Sequence, residues 1–211
     1  MKLRLALGLA VAGLAAGCAL LTRPRLIPTR YYSISPSPPE APAGKTAPVT
    51  LAVRFLTAPS RYRERILYRK SETVVGHREG DRWVEPPDEM VTTALVQALQ
   101  AAKVADVVLE GRLLPRADVV LEGSILRFDE VQGRDQWEAD FAIELVLKTD
   151  EGDRLLLAER FPARQPAKER TTAAFVEAMS AATAEALGNA TKAVAKALEA
   201  SAAKRKADAA K

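Results

Sequence analysis

The apolar residues of this chain repeat at two different periods, and the order in which the periods change limits the architectures open to it. Strands alternate at period 2, helices at about 3.6. Val49, Leu51, Val53 and Phe55 alternate with Thr50, Ala52, Arg54 and Leu56. Val119, Leu121, Gly123 and Ile125 alternate with Val120, Glu122, Ser124 and Leu126, and Phe141, Ile143, Leu145 and Leu147 with Asp140, Ala142, Glu144 and Lys148 nearby. Ile66 to Arg69 and Thr73 to His77 read as two strands about a short turn, followed by a charged turn at Arg78-Glu79-Gly80-Asp81. Turn residues at Gly133-Arg134 and Asp150-Glu151-Gly152-Asp153 join the last three strands, ending with Arg154 to Phe161, into an antiparallel meander.

Two segments switch to the helical period. After Pro86-Pro87-Asp88, the residues Val91, Ala94, Leu95, Ala98, Leu99 and Ala102 mark an amphipathic helix of roughly four turns. A second helix is capped by Thr171 or Thr172 and carries Phe175, Met179, Ala182, Ala186, Leu187, Val194 and Leu198 on its apolar face. Gly188-Asn189 loosens its middle, and the basic end beyond Ser201 is expected to fray. The expected fold is α+β, a two-layer sandwich of a mainly antiparallel sheet with the two helices packed on one face.

The N-terminus reads as an export signal: Lys2 and Arg4 precede an uninterrupted apolar or glycine run from Leu5 to Ala16. Leu14-Ala15-Ala16-Gly17-Cys18 then resembles the lipobox of bacterial lipoproteins, with Leu14 one place before the usual leucine position. That resemblance implies cleavage after Gly17 and acylation of Cys18, and Ala19 in place of an aspartate implies sorting to the outer membrane, facing the periplasm. The competing reading is an uncleaved signal-anchor, because apolar character continues through Leu21; the run is at the lower length limit for a span. Acyl burial contributes about 0.8 kcal/mol per CH₂, so two or more chains hold a protein stably on a membrane. Seven of the 13 prolines fall between 24 and 48, which favours extended chain there. Four regions follow: a signal peptide at 1–17, the lipidated cysteine and tether at 18–30, one domain at 31–200, and a basic polar tail at 201–211. Tyr31 to Ser35 is a β-favouring run at the start of the domain.

Charge placement removes nucleic acid from the partners. The chain is +4 overall, but its ends carry the surplus and residues 31–200 sum to −4. The lone cysteine and lone histidine rule out disulfide frameworks and make a poor inventory for metal sites; no cofactor, metal or catalytic residue is expected. His77 lacks a nucleophile motif around it and reads as a surface imidazole. Glu85, Asp88 and Glu89 suit a helix start through the dipole alone. Among Tyr31, Tyr32, Tyr62, Tyr68, Trp83 and Trp137, Trp83 reads as a core ring at the base of the first helix. Arg61, Arg63, Arg65 and Arg69 alternate with Tyr62, Glu64, Ile66 and Tyr68, and an extended segment would gather the four arginines on one edge, a candidate contact for a partner or an anionic lipid. A charged edge that merely blocks aggregation is an equal reading of the same pattern.

Taken in order, several pieces resemble the ABC-type transport auxiliary lipoproteins, the PqiC-like family found beside MCE-domain lipid-transport systems. They are the lipobox, Tyr31-Tyr32-Ser33-Ile34, Tyr62-Arg63-Glu64-Arg65-Ile66-Leu67-Tyr68-Arg69, Asp81-Arg82-Trp83-Val84-Glu85-Pro86, the Gly123 strand ending Arg127-Phe128, and the closing helix. The resemblance implies a non-enzymatic accessory that binds an MCE-domain protein and its inner-membrane ABC transporter, for phospholipid or another hydrophobic substrate. It carries over no catalytic residue and sets no oligomeric state. Another periplasm-facing envelope-assembly or pilot-type lipoprotein is the alternative.

The lipobox reading has a direct test. Mass spectrometry of the membrane-extracted protein should find an acylated N-terminal Cys18, and Cys18→Ser should release the domain from that linkage. An intact Met1 with an unmodified thiol would contradict it.

Overall fold

The computed structural model describes residues 27–38, 46–111, 116–152 and 154–209, with side chains through 204. The signal, Cys18 and most of the tether lie outside these residues. Eight strands form one sheet: β1 (Arg30–Tyr32), β2 (Ala47–Val53), β3 (Arg65–Arg69), β4 (Val75–Trp83), β5 (Ala105–Glu110), β6 (Val119–Gln132), β7 (Trp137–Thr149) and β8 (Leu155–Pro166). Two helices are present among the described residues, α1 (Pro87–Ala101) between β4 and β5 and α2 (Thr172–Ala209) at the end.

The spine is β6. Antiparallel β7 runs along one of its edges from Val119↔Thr149 to Gln132↔Trp137, and β8 continues the meander beyond β7. Along the other edge lie two strands end to end, both parallel to β6: β2 at Leu51–Val53 and β3 at Tyr68–Arg69, with a single bridge from Thr57 to Ser124 between them. Outside β2 lies parallel β5; outside β3 lies antiparallel β4, then parallel β1. The expected mainly antiparallel sheet and flat two-layer sandwich are therefore corrected: the sheet is mixed and curls into a half-barrel. The cause is the doubled edge of β6, where parallel neighbours need crossovers rather than hairpins, and α1 lies within the long connection from β2 to β5.

The expected meander and both helices are present. A second correction concerns Arg78-Glu79-Gly80-Asp81, which is not a turn but part of β4; the hairpin turn lies at 70–74, where the Lys70 N–H donates to the Val74 carbonyl oxygen at 2.9 Å. β5 carries no stop sign before it. α1 ends in a Schellman-type turn with Lys103 at φ 50°, where glycine is usual, and Val104 N–H reaches back to Leu99 O.

One apolar cluster fills the inside of the curl. Alternate residues of β7 from Ala139 to Leu147 enter it, with Leu51 and Val53 of β2 and Leu121, Ile125 and Phe128 of β6. Val91, Leu95 and Leu99 of α1 and Phe175, Met179, Ala182, Ala186, Leu187 and Val194 of α2 pack onto it. Alanines at 182, 186 and 190, all fully buried, let α2 lie close to its neighbours. Gly188-Asn189 does not interrupt α2, which continues past Ser201 to Ala209. Thr171 is its cap, accepting the Ala174 N–H at 3.2 Å. Trp83 is a core ring, 5.2 Å from Phe128 and 6.0 Å from Phe175.

Gly123 shows how close β6 and β7 lie. A Cβ there would overlap the Glu144 carbonyl oxygen and sit 2.8 Å from Leu145 Cδ2. Gly123→Ala should lower stability by about 1–3 kcal/mol, as overpacking does, measurable as a shift of the urea midpoint. A variant that unfolds like the wild type would show that the two strands can part at no cost.

Candidate functional site

The arginine- and tyrosine-rich segment from Arg61 to Arg69 does not form one edge. Only Arg65–Arg69 is strand, and residues 61–64 form a turn and bend before it. Tyr62 is 3% exposed, and its hydroxyl donates to Asp129 Oδ1 at 2.6 Å. Arg69 pairs with the same carboxylate, Nε at 2.8 Å and Nη2 at 2.7 Å from Oδ2. The Arg61 guanidinium lies 4.6 Å from the Tyr62 ring centroid and reaches the Leu126 carbonyl. Tyr68 is half-buried over Gly76, where a Cβ would come within 2.6 Å of its ring. Arg63 and Arg65 are exposed and have no bonded partner among the described residues. Of the six candidate contact residues, Tyr62 and Arg69 hold the fold, Tyr68 and Arg61 brace it, and Arg63 and Arg65 remain available.

A lattice of buried acids and arginines surrounds this segment. Asp129 on β6 stands directly opposite Asp140 on β7, a like-charge pair that is unfavourable unless neutralised. Arg69 and Tyr62 satisfy the first, and Arg127 and Arg164 the second, at 2.9 and 3.0 Å. Glu130, fully buried, takes a bidentate fork from Arg78 at 2.7 and 2.6 Å, while the Arg78 guanidinium lies 4.8 Å from the Trp137 ring centroid. On β1, Arg30 makes a similar fork to Asp81, which also accepts the Thr172 hydroxyl at 2.6 Å. These hydrogen bonds hold the Arg69, Arg164 and Arg30 guanidiniums above their usual value.

His77 is exposed, as expected of a surface imidazole, with Nε2 3.4 Å from the Arg61 carbonyl oxygen. It borders an open cleft of about 580 Å³ lined by Ile27, Arg30, Tyr68, Arg78 and Gln132, among others. Glu85 and Glu89 are exposed near the start of α1, where Asp88 and Glu89 complement the dipole. No group of three or more His, Cys, Asp or Glu residues placed to hold a metal occurs among the described residues. No helix among them is long and apolar enough to cross a membrane. Sequence reasoning missed Arg82, which stands opposite Arg65 across the hairpin; the irregular register between Arg65 and Leu67 hides that pairing from simple residue counting.

Tyr62 gives the lattice a pH signature. Burial first, then its hydrogen bond to Asp129, pushes its pKa up to about 12. The folded state thus holds the phenolic proton more tightly than the unfolded chain, whose tyrosines titrate near 10. The resulting stabilisation, of order 2–3 kcal/mol, is present in full below pH 10 and is lost as the pH rises to about 12. The wild type should lose more stability than Tyr62→Phe across that interval in parallel urea titrations. Equal alkaline losses would remove Tyr62 as the cause.

Comparison with known proteins follows the same geometry. The chain matches the family described as the ABC-type transport auxiliary lipoprotein component over residues 32–189. No curated protein matches it. The crystal structure of protein XCC0632 from Xanthomonas campestris is similar at a TM-score of 0.76 and 18% identity, covering 82% of this chain and 99% of that one. A second crystal structure, of an uncharacterized protein, is similar at a TM-score of 0.62 and 15% identity, covering 78% of this chain and 97% of the other. At such identities the two structures share the fold. The family match runs from Tyr32, the last residue of β1, through Asn189 in α2 and so takes in seven of the eight strands in full, α1 and the first half of the last helix: the chain belongs to the ABC-type transport auxiliary lipoprotein component family.

Proposed function

We propose that the protein is a non-enzymatic accessory of an MCE-domain protein and its inner-membrane ABC transporter. It is held on the outer membrane by acylated Cys18, faces the periplasm, and helps phospholipid or another hydrophobic substrate cross the envelope. The observation that carries this reading is the family match over 32–189, which begins shortly after Cys18 and covers most of the folded domain. Two further features support it. The tether between Cys18 and β1, at about 3.1 Å per residue if extended, reaches roughly 35–40 Å and leaves the domain room to meet a partner while it stays at the membrane. The buried acids are occupied by arginines, Tyr62 and Thr172, an arrangement suited to holding a surface in shape.

The contact proposed for the partner uses Arg63, the exposed arginine of the bend before β3, which can fork onto a carboxylate. Affinity purification of the full acylated protein from detergent-solubilised membranes should recover the MCE-domain protein and the transporter subunits. Arg63→Glu should weaken that recovery severalfold and leave the melt nearly unchanged, since an exposed charge contributes little to stability. Recovery of no transporter component from intact envelopes would overturn the reading.

A further inference from the structure

Three residues line up across the sheet in register: Tyr31 on β1 pairs with Arg82 on β4, and Arg82 with Arg65 on β3. Paired residues point to the same face. Their chain neighbours Trp83 and Ile66 lie in the core and Tyr32 packs against it, so the row faces outward. Beside it Tyr31 is 67% exposed, Val84 54%, and Ile27, which lies over Gly80, 48%. Exposed apolar groups and cations thus share one patch.

Among the described residues no carboxylate forms an ion pair with Arg65 or Arg82. Arg30, Arg69, Arg78, Arg127, Arg160 and Arg164 each sit on a carboxylate. Arg82 instead donates to the carbonyl oxygens of Arg78 and Asp81, both at 3.0 Å, and Arg65 has no bonded partner among the described residues. The neighbouring Glu64 and Glu85 bond to neither arginine. Two arginines directly opposite each other are unfavourable until an anion joins them.

Sequence distance limits what can provide it. Nine residues carry the chain from Cys18 to Ile27, so even a fully extended segment spans at most roughly 30 Å. We propose that the Tyr31–Arg82–Arg65 face, flanked by Ile27 and Val84, docks on the anionic phospholipid surface that holds the acyl anchor. The arginines take headgroup phosphates, and Tyr31 lies at the interface, where an aromatic body with a polar tip is favoured. This inference rests on the acylation of Cys18 proposed above.

The test uses the full acylated protein carrying Val84→Cys. Cys18 is the chain's one native cysteine and is blocked when acylated, so a nitroxide labels the new thiol alone. The protein is reconstituted in vesicles of phosphatidylcholine with or without phosphatidylglycerol, and collision of the label with a water-soluble nickel chelate is measured. The label should be shielded with phosphatidylglycerol and open without it, while a label at Val107→Cys on β5 stays open in both. Arg65→Gln and Arg82→Gln should each shift the docked-to-free ratio by about fivefold, and high salt should release the face. If the protein floats with the vesicles while the Val84 label stays as open as the Val107 label, the docking face is overturned and the anchor stands. If it does not float, the anchor and the docking face fall together. Shielding that appears only when the MCE-domain protein is added would assign the face to that protein and overturn the lipid proposal.

Discussion

Asp129 and Glu130 sit side by side on β6 with no exposure, and a carboxylate withdrawn from water is tolerable only when it is paired and hydrogen-bonded. Their charged and phenolic partners come from elsewhere in the chain, Tyr62 and Arg69 for Asp129 and Arg78 for Glu130, with Gln132 of β6 itself also donating to Glu130. Opposite Asp129, Asp140 draws Arg164 from β8. The acids on two central strands thereby specify which residues of β3, β4 and β8 must arrive alongside. A one-residue slip of β6 would turn these carboxylates to the wrong side and strand the arginines. A buried ion pair is weak evidence of net stability, and its effect here is on register. That matters for a strand with two separate neighbours sharing one edge, where apolar alternation alone would tolerate other placements.

The parts of the fold legible in the sequence are those governed by local periodicity. The α1 stripe from Val91 to Leu99 and the β7 alternation from Phe141 to Leu147 are buried as their spacing requires. Pairing partners are a different matter. That β2 and β3 both lie parallel to β6 follows from long-range pairing, for which neither strand carries a local sign. β5 was hidden by its junction: Ala101-Ala102-Lys103 has no glycine or proline, yet Lys103 adopts the left-handed conformation that ends α1. The charges of Arg78 and Asp81 suggested a turn because exposed strands are usually less charged. Both side chains are instead engaged in forks, with Glu130 and Arg30.

For the candidate site, residue types were legible and directions were not. Counting alternate positions from Arg61 assumes an unbroken strand, but the bend at 63–64 breaks the count, so that Tyr62 and Arg69, which alternation would put on opposite sides, meet on Asp129. Arg69, nominally equivalent to Arg65, is committed to Asp129, whereas Arg65 is committed to nothing among the described residues. The short motifs that carry the family resemblance have a structural reason to occur together. Tyr31-Tyr32 and Arg82-Trp83 are neighbours in the parallel β1–β4 ladder, with Trp83 set against Phe128 and Phe175. Pieces that look weak apart are one packed unit in space.

The attachment of β1 determines how that unit is held. A three-residue strand is too short to stay paired through its backbone alone. Arg30 reinforces it with a fork to Asp81, and Asp81 is fixed in turn by Thr172 at the first turn of α2. The division of labour between adjacent threonines makes this possible: Thr171 caps the helix, which leaves the Thr172 hydroxyl for Asp81. One carboxylate therefore joins the first strand, an inner strand and the last helix. A load on the chain entering β1 is therefore transmitted to the sheet and to α2 together, and β1 cannot turn independently of the domain.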